Sequence, residues 1–163
     1  MRHVLFLCVF NATRSIMAEA LLNHLGKGRF RALSAGDYPS RHIHPLTLEC
    51  LAAHDIPIAG LHSKTWEMFI GLGAPRIDYI ITVCDDSREK PHRGWLADAM
   101  PLKIHWDTAN PAMVQGSAEQ IRFAFEDCYQ RLARRIEALI ALPLEGMDRP
   151  TQWQELPRLG EIR

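Results

Sequence analysis

The residue types best suited to chemistry stand near the N-terminus, in the run Cys8-Val9-Phe10-Asn11-Ala12-Thr13-Arg14-Ser15. A cysteine attacks as its thiolate, and a helix N-terminus or a neighbouring cation favours that form. A loop that feeds a helix turns successive backbone N–H groups into one concavity, where the helix dipole adds positive potential. Arg14 can fork two hydrogen bonds onto a tetrahedral oxyanion. Ser15 is spaced to donate its hydroxyl to the Cys8 sulfur, and Asn11 tolerates the left-handed backbone of a tight loop. The run therefore reads as a nucleophile, Cys8, at the base of an oxyanion nest built by Val9, Phe10, Asn11, Ala12, Thr13, Arg14 and Ser15. A small core cysteine beside a solvated, helix-capping arginine is the bland reading. It loses ground because a buried strand precedes the run and a helix follows it.

Those flanks are legible. Leu5 to Val9 is a short apolar stretch of the kind a fully buried parallel strand needs. From Ile16 the residues favour a helix over about 15–25, with Gly26 as its stop. Phe30 to Gly36 alternates as a strand. Pro45 opens a helix that runs to His54, and Ser63 is a candidate N-cap for a short helix carrying Trp66, Phe69 and Ile70. Ile77 to Val83 is a β-branched strand that ends in Cys84. A polar loop from Asp85 to Pro101 leads to a strand over 102–106 and a turn from Asp107 to Pro111. Ser117-Ala118-Glu119-Gln120 has capping-box form and starts the longest helix, to about Leu142. Cys50 and Cys128 fall inside helices and read as core.

Strands alternating with helices predict an α/β fold: a parallel sheet flanked by helices on both faces. Ligands of such sheets bind beyond the carboxyl ends of the strands. Cys8 and Cys84 both stand at such ends, which sets Cys84 apart from the other cysteines, although a buried structural thiol there stays open.

A length of 163 residues fits one domain. We expect it to span 1–142, with 143–163 as a C-terminal tail, either laid over the body or extended as a partner-binding arm. Zero formal net charge and the lack of a basic block argue against a nucleic-acid partner. Leu5 to Val9 is too short for a signal-peptide core or a membrane span, so no leader and no membrane association are expected. The four cysteines show no C-x-x-C spacing, which suggests a reducing, cytoplasmic setting rather than disulfides or zinc. No metal ligand set is apparent, and His42 and His44 read as surface residues.

The motif Cys8-x-x-Asn11-x-x-Arg14-Ser15 resembles the anion loop of the low-molecular-weight protein tyrosine phosphatase superfamily, which includes the thiol-dependent arsenate reductases. The likeness extends through Ser34-Ala35-Gly36, Ser63-Lys64, Thr82-Val83-Cys84-Asp85, His105-Trp106 and Asn110-Pro111-Ala112, to about Leu142. The Thr-Val-Cys-Asp and His-Trp segments are more similar to the reductase branch. The resemblance implies a four-stranded parallel sheet flanked by helices. It also implies a Cys8 thiolate that attacks the oxyanion, and a second thiol, Cys84 or an external one, that resolves the adduct. Neither metal nor organic cofactor is implied; the reductant would be glutathione, glutaredoxin, thioredoxin or another thiol.

Three departures from the pattern are visible. The family's general acid is an Asp directly before Pro, and that position here is Asn110; Asp107 is the nearby carboxyl that could replace it. Thioredoxin-coupled reductases carry a further cysteine shortly after the one matching Cys84, and none follows in 85–95. Ala112 and Met113 stand where phosphotyrosine phosphatases place aromatic rings. The sequence is thus read as an arsenate reductase-like enzyme. A phosphatase acting on phosphomonoesters such as phosphotyrosine, and a catalytically impaired oxyanion-binding homologue, are the alternatives.

Overall fold

Val4 to Leu7 are fully buried because their strand, β1 (Arg2–Cys8), has a partner on each side and layers above and below. In the computed structural model, which describes residues 1–88, 90, 92–95 and 100–163, three strands join it. They are β2 (Phe30–Gly36), β3 (Tyr79–Thr82) and β4 (Leu102–His105). The order is β2-β1-β3-β4 and every pairing is parallel. The chain leaves β1 toward β2 on one side and reaches β3 on the other, so the carboxyl end of β1 is the switch point where ligands of such sheets bind. The α-helices are α1 (Arg14–Leu25), α2 (Pro45–Ala53), a single turn α3 (Asp85–Arg88), α4 (Ala118–Ala141) and α5 (Arg149–Arg158).

Period-two alternation sorts the strand residues onto two faces. Val4, Phe6, Cys8, Ile81 and Ile104 pack into the main core with side chains of α1, α2, α4 and α5. Leu5, Leu7 and Ile80 pack into a smaller cluster with Phe69, Ile77, Trp66 and Trp95. Helices flank the sheet as expected; around the smaller cluster the cover includes, among the described residues, the 3₁₀ turn Trp66–Phe69 and a Trp66–Trp95 ring stack at 5.8 Å. Ser63 does not cap that turn, whose N-cap is Thr65; its hydroxyl donates to the Phe10 carbonyl at 3.1 Å. The Ser117 capping box forms with both of its bonds. Within the expected polar loop 85–101, α3 is a helical turn, whereas residues 89, 91 and 96–99, Pro91 included, lie outside the described residues.

Residues 143–163 lie over the body. Leu144, Leu156 and Leu159 enter the main core, and burying such side chains is worth about 1.5–3 kcal/mol each. The Leu156 carbonyl accepts from the indole N–H of the fully buried Trp106 at 3.0 Å, and Gln152 Oε1 accepts from the Tyr79 hydroxyl at 2.8 Å. Segment 143–163 thus completes the layer over β3 and β4.

Candidate active site

The loop after β1 is held from outside by its carbonyls. Cys8 O accepts from the Asp37 N–H at 3.2 Å, Val9 O from Tyr38 at 2.9 Å, Phe10 O from Ser40 at 2.8 Å and Ala12 O from His44 at 3.0 Å. The Thr47 hydroxyl adds a second bond to Ala12 O at 3.1 Å. With the carbonyls engaged by 37–47, the N–H groups of Phe10 to Ser15 have no protein acceptor among the described residues, the arrangement of an anion nest. Asn11 has φ 48°, in the left-handed region the tight loop requires. Gly36 is needed for the same packing, since a Cβ there would sit 2.6 Å from Val9 O.

Arg14 is buried at the start of α1 and donates through one terminal nitrogen to Thr108 O at 3.0 Å. Its Nε–H is buried without a partner among the described residues. A buried donor left unsatisfied costs about 1–3 kcal/mol, and an oxyanion seated in the nest would supply the acceptor.

Cys8 and Cys84 meet. β1 and β3 are neighbours with Leu7 opposite Thr82, which puts Cys84 one residue beyond the position facing Cys8. Parallel neighbours run about 4.8 Å apart, inside the span a disulfide bridges. Both side chains lie in the main core, close enough for each thiol to govern the other's titration. The Cys8 thiol draws the pKa of Cys84 down to about 5, helped by the Ser87 side chain and N–H and by the charge of Arg14, against the opposing effect of burial. Cys8 moves well above the ordinary thiol range, first because of Cys84 and then through burial; Arg14 and the Val9 N–H oppose this. The two thiols titrate as a coupled pair, with Cys84 the more acidic member and the charge of Arg14 favouring the thiolate of both.

Beneath the loop lies a polar network that sequence reading missed. Asn11 Nδ2 donates to Ser15 Oγ at 2.8 Å and to Ser34 Oγ at 2.9 Å, and Asn11 Oδ1 accepts from the Lys64 N–H at 2.9 Å. Ser15, expected to donate to the Cys8 sulfur, instead accepts from Asn11, and among the described residues it makes no hydrogen bond to Cys8. Ser34 donates to Glu19 Oε2 at 2.5 Å, and Lys64 Nζ pairs with the same oxygen at 3.5 Å. Burial pushes Glu19 up and Lys64 down, each restrained by the other's charge. The signal available in sequence was a Glu on the buried face of the first helix, where an unpaired charge is costly.

A sequence model of the low molecular weight phosphotyrosine protein phosphatase family matches residues 3–149. The chain belongs to this family. It is 34% identical over 141 residues to the glutaredoxin arsenate reductase of Synechocystis, covering 86% of this chain and 98% of that one. It is 25% identical over 139 residues to an arsenate reductase of Oceanobacillus iheyensis, covering 82% and 91%. Among solved structures, an arsenate reductase in its phosphate-binding state superposes with a TM-score of 0.66 at 26% identity, over 86% of this chain and 98% of the other.

Set against the family pattern, the loop 107–111 is the main divergence. Asn110 Oδ1 accepts from the Ala112 N–H at 3.1 Å, capping the 3₁₀ turn Pro111–Met113. Asp107 is exposed, and its carboxylate gathers with His105 and Asp85, donor atoms within 4.8 Å of one another. His105 is fixed by Thr82 Oγ1 at 2.8 Å and Asp85 Oδ1 at 2.9 Å. Arg135 on α4 holds the loop by donating to Asp107 O at 2.7 Å and Thr108 Oγ1 at 3.0 Å. On the opposite rim Asp37 accepts from Ser87 at 2.5 Å and pairs with His92 at 2.8 Å, tying the segment after Cys84 to the end of β2. No helix among the described residues is long and apolar enough to cross a membrane.

Proposed function

We propose that this protein reduces arsenate to arsenite, using Cys8 as nucleophile and Cys84 as the resolving thiol. The observation that carries the reading is the buried Cys8–Cys84 pair at the ends of neighbouring strands beside Arg14; a phosphatase needs the first thiol but not the second. The names of the relatives support the same substrate class.

Arsenate would sit in the nest, bound by the N–H groups of Phe10 to Ser15 and by Arg14. The Cys8 thiolate attacks arsenic(V) and forms an S–As bond as an oxygen leaves as water. Departure is opposite the sulfur, and Asp107, together with His105 and Asp85, is our candidate to deliver the proton. Cys84 then gives up its proton to the departing oxygen or to water and, as the thiolate, attacks Cys8 Sγ. An S–S bond forms, the S–As bond breaks, and its electron pair stays on arsenic, which leaves as arsenite(III). The two thiols have supplied both electrons, and an external dithiol or glutathione-dependent redoxin, of the kind named for the Synechocystis relative, restores them.

The test measures arsenate turnover with glutaredoxin and glutathione beside hydrolysis of a chromogenic phosphomonoester, on one preparation. Cys8→Ser should abolish both activities. Cys84→Ser should abolish formation of the Cys8–Cys84 disulfide seen by peptide mapping after arsenate treatment without added thiol, and leave any hydrolysis in place. Arsenate turnover that survives Cys84→Ser would overturn the assignment of Cys84.

A further inference from the structure

Where α2 packs against α4, three donor side chains of different type converge. Cys50 and His54 are four residues apart on and just after α2, hence on one helical face, and Glu126 faces them from α4. Cys50 Sγ lies 3.6 Å from Glu126 Oε2, and His54 Nε2 lies 2.8 Å from both carboxylate oxygens. All three donor atoms fall within 4.8 Å of one another. We infer that Cys50, His54 and Glu126 form a binding site for a borderline-soft divalent cation of the zinc type, joining α2 to α4.

The geometry is close to what such an ion requires. With bonds of about 2.0–2.2 Å to nitrogen and oxygen and about 2.3 Å to sulfur, a tetrahedral site has N···O edges of about 3.4 Å and S···O edges of about 3.6 Å. The sulfur–carboxylate separation already matches. The imidazole must retreat from the carboxylate by only about 0.6 Å to admit the ion. Thiolate, imidazole and carboxylate together suit zinc better than calcium or magnesium, which select oxygen donors.

The donors are also oriented from behind. His54 stacks on Tyr129 at 3.9 Å with ring planes 11° apart, and Gln130 Nε2 donates to Glu126 Oε1 at 2.8 Å. Such outer partners fix ligand direction in metal sites. A cavity of about 360 Å³, lined by Cys50 and Glu126 along with Leu46, Phe123 and Phe125, opens beside the cluster and leaves room for water in a fourth position. Glu49 and Glu119 on its rim outnumber Arg122, so the approach favours a cation. Without metal, burial and the Glu126 carboxylate push Cys50 up to about 12, so an entering ion displaces the thiol proton.

The catalytic thiols would bind the same metals, so the experiment uses full-length Cys8→Ser/Cys84→Ser protein titrated with Co(II) and competed with Zn(II). The expected result is one equivalent of Co(II) with a thiolate-to-cobalt charge-transfer band and the visible spectrum of a tetrahedral site. Adding Cys50→Ser should remove the charge-transfer band. His54→Gln and Glu126→Gln should each weaken binding at least about 10-fold, since even outer partners of metal ligands carry about 10–100-fold. Circular dichroism checks that each variant is folded, and the two glutamine variants, at half-exposed positions, serve where Cys50→Ser is not. The absence of a tetrahedral cobalt spectrum, or one that none of the three changes alters, overturns the site.

Discussion

Arg14 and Arg135 grip the same residue from two sides: Arg14 donates to the Thr108 carbonyl and Arg135 to its hydroxyl, both at 3.0 Å. Arg135 is in turn anchored by the Ile162 carbonyl at 2.8 Å, so the end of the chain supports the residue that would bind the oxyanion. Hydrogen bonds from charged groups contribute about 1.5–3 kcal/mol each, and this arginine makes several. Arg135→Met should therefore lower thermal stability and weaken phosphate binding by about tenfold, equivalent to about 1.4 kcal/mol. Calorimetric titration with phosphate checks this; unchanged affinity would mean that Thr108 does not depend on Arg135.

The coupling of the two thiols makes a prediction about pH. Cys84 sits low chiefly because of Cys8, and Cys8 sits high chiefly because of Cys84. In Cys8→Ser the titration of Cys84 should move upward from about 5. In Cys84→Ser that of Cys8 should move downward from its raised position. The wild-type protein should keep one reactive thiolate down to about pH 5 and lose it below. Iodoacetamide alkylation rates against pH read all three. Two thiols that titrate without regard to each other would contradict the pairing.

How far the sequence discloses this site follows from what is local. The nest is legible because strand, loop and helix are contiguous from Leu5 to Ala20, and β2 and the Ser117 capping box are legible for the same reason. The meeting of Cys8 and Cys84 is not, because it depends on β3 pairing with β1 rather than with β2, and strand order leaves no mark in the periodicity. Ser63 looks like a helix cap until the anion loop, distant in sequence, offers its Phe10 carbonyl. Arg135 hides between Leu132 and Ile136 on a helical face that reads simply as apolar. Residues 143–163 show no period, yet Leu144, Leu156 and Leu159 find the core one at a time.

The Glu19–Lys64 pair carries a stability prediction. Its side chains are only 10% and 7% exposed, so solvent screening does little to soften the loss of either partner. Breaking a buried pair by removing one member costs about 3–5 kcal/mol. Lys64→Met should destabilise by that order in urea unfolding, and Glu19→Gln introduced with it should recover part of the loss by removing the stranded carboxylate. A Lys64→Met protein within about 1 kcal/mol of wild type would show that Glu19 finds another partner or takes up a proton cheaply.

The last prediction concerns the missing acid. Asn110 uses its side-chain oxygen to cap the turn Pro111–Met113, and an aspartate caps as well, so Asn110→Asp should leave the fold unchanged. It would restore a carboxyl at the position where the family pattern has one. General acids contribute about 10²–10⁴ in rate when the leaving group needs a proton. An alkoxide leaving phosphorus and a hydroxyl leaving arsenic as water both need one. Asn110→Asp should therefore raise phosphomonoester hydrolysis at mildly acidic to neutral pH by tenfold or more, and arsenate turnover to the extent that Asp107 does not already deliver the proton. Asp107→Asn tests the opposite side: if Asp107 delivers the proton in the wild-type protein, its loss should slow arsenate turnover, and Asn110→Asp should rescue it. Equal hydrolysis by wild type and Asn110→Asp, with Asp107→Asn inactive, would make Asp107 the resident acid for both reactions.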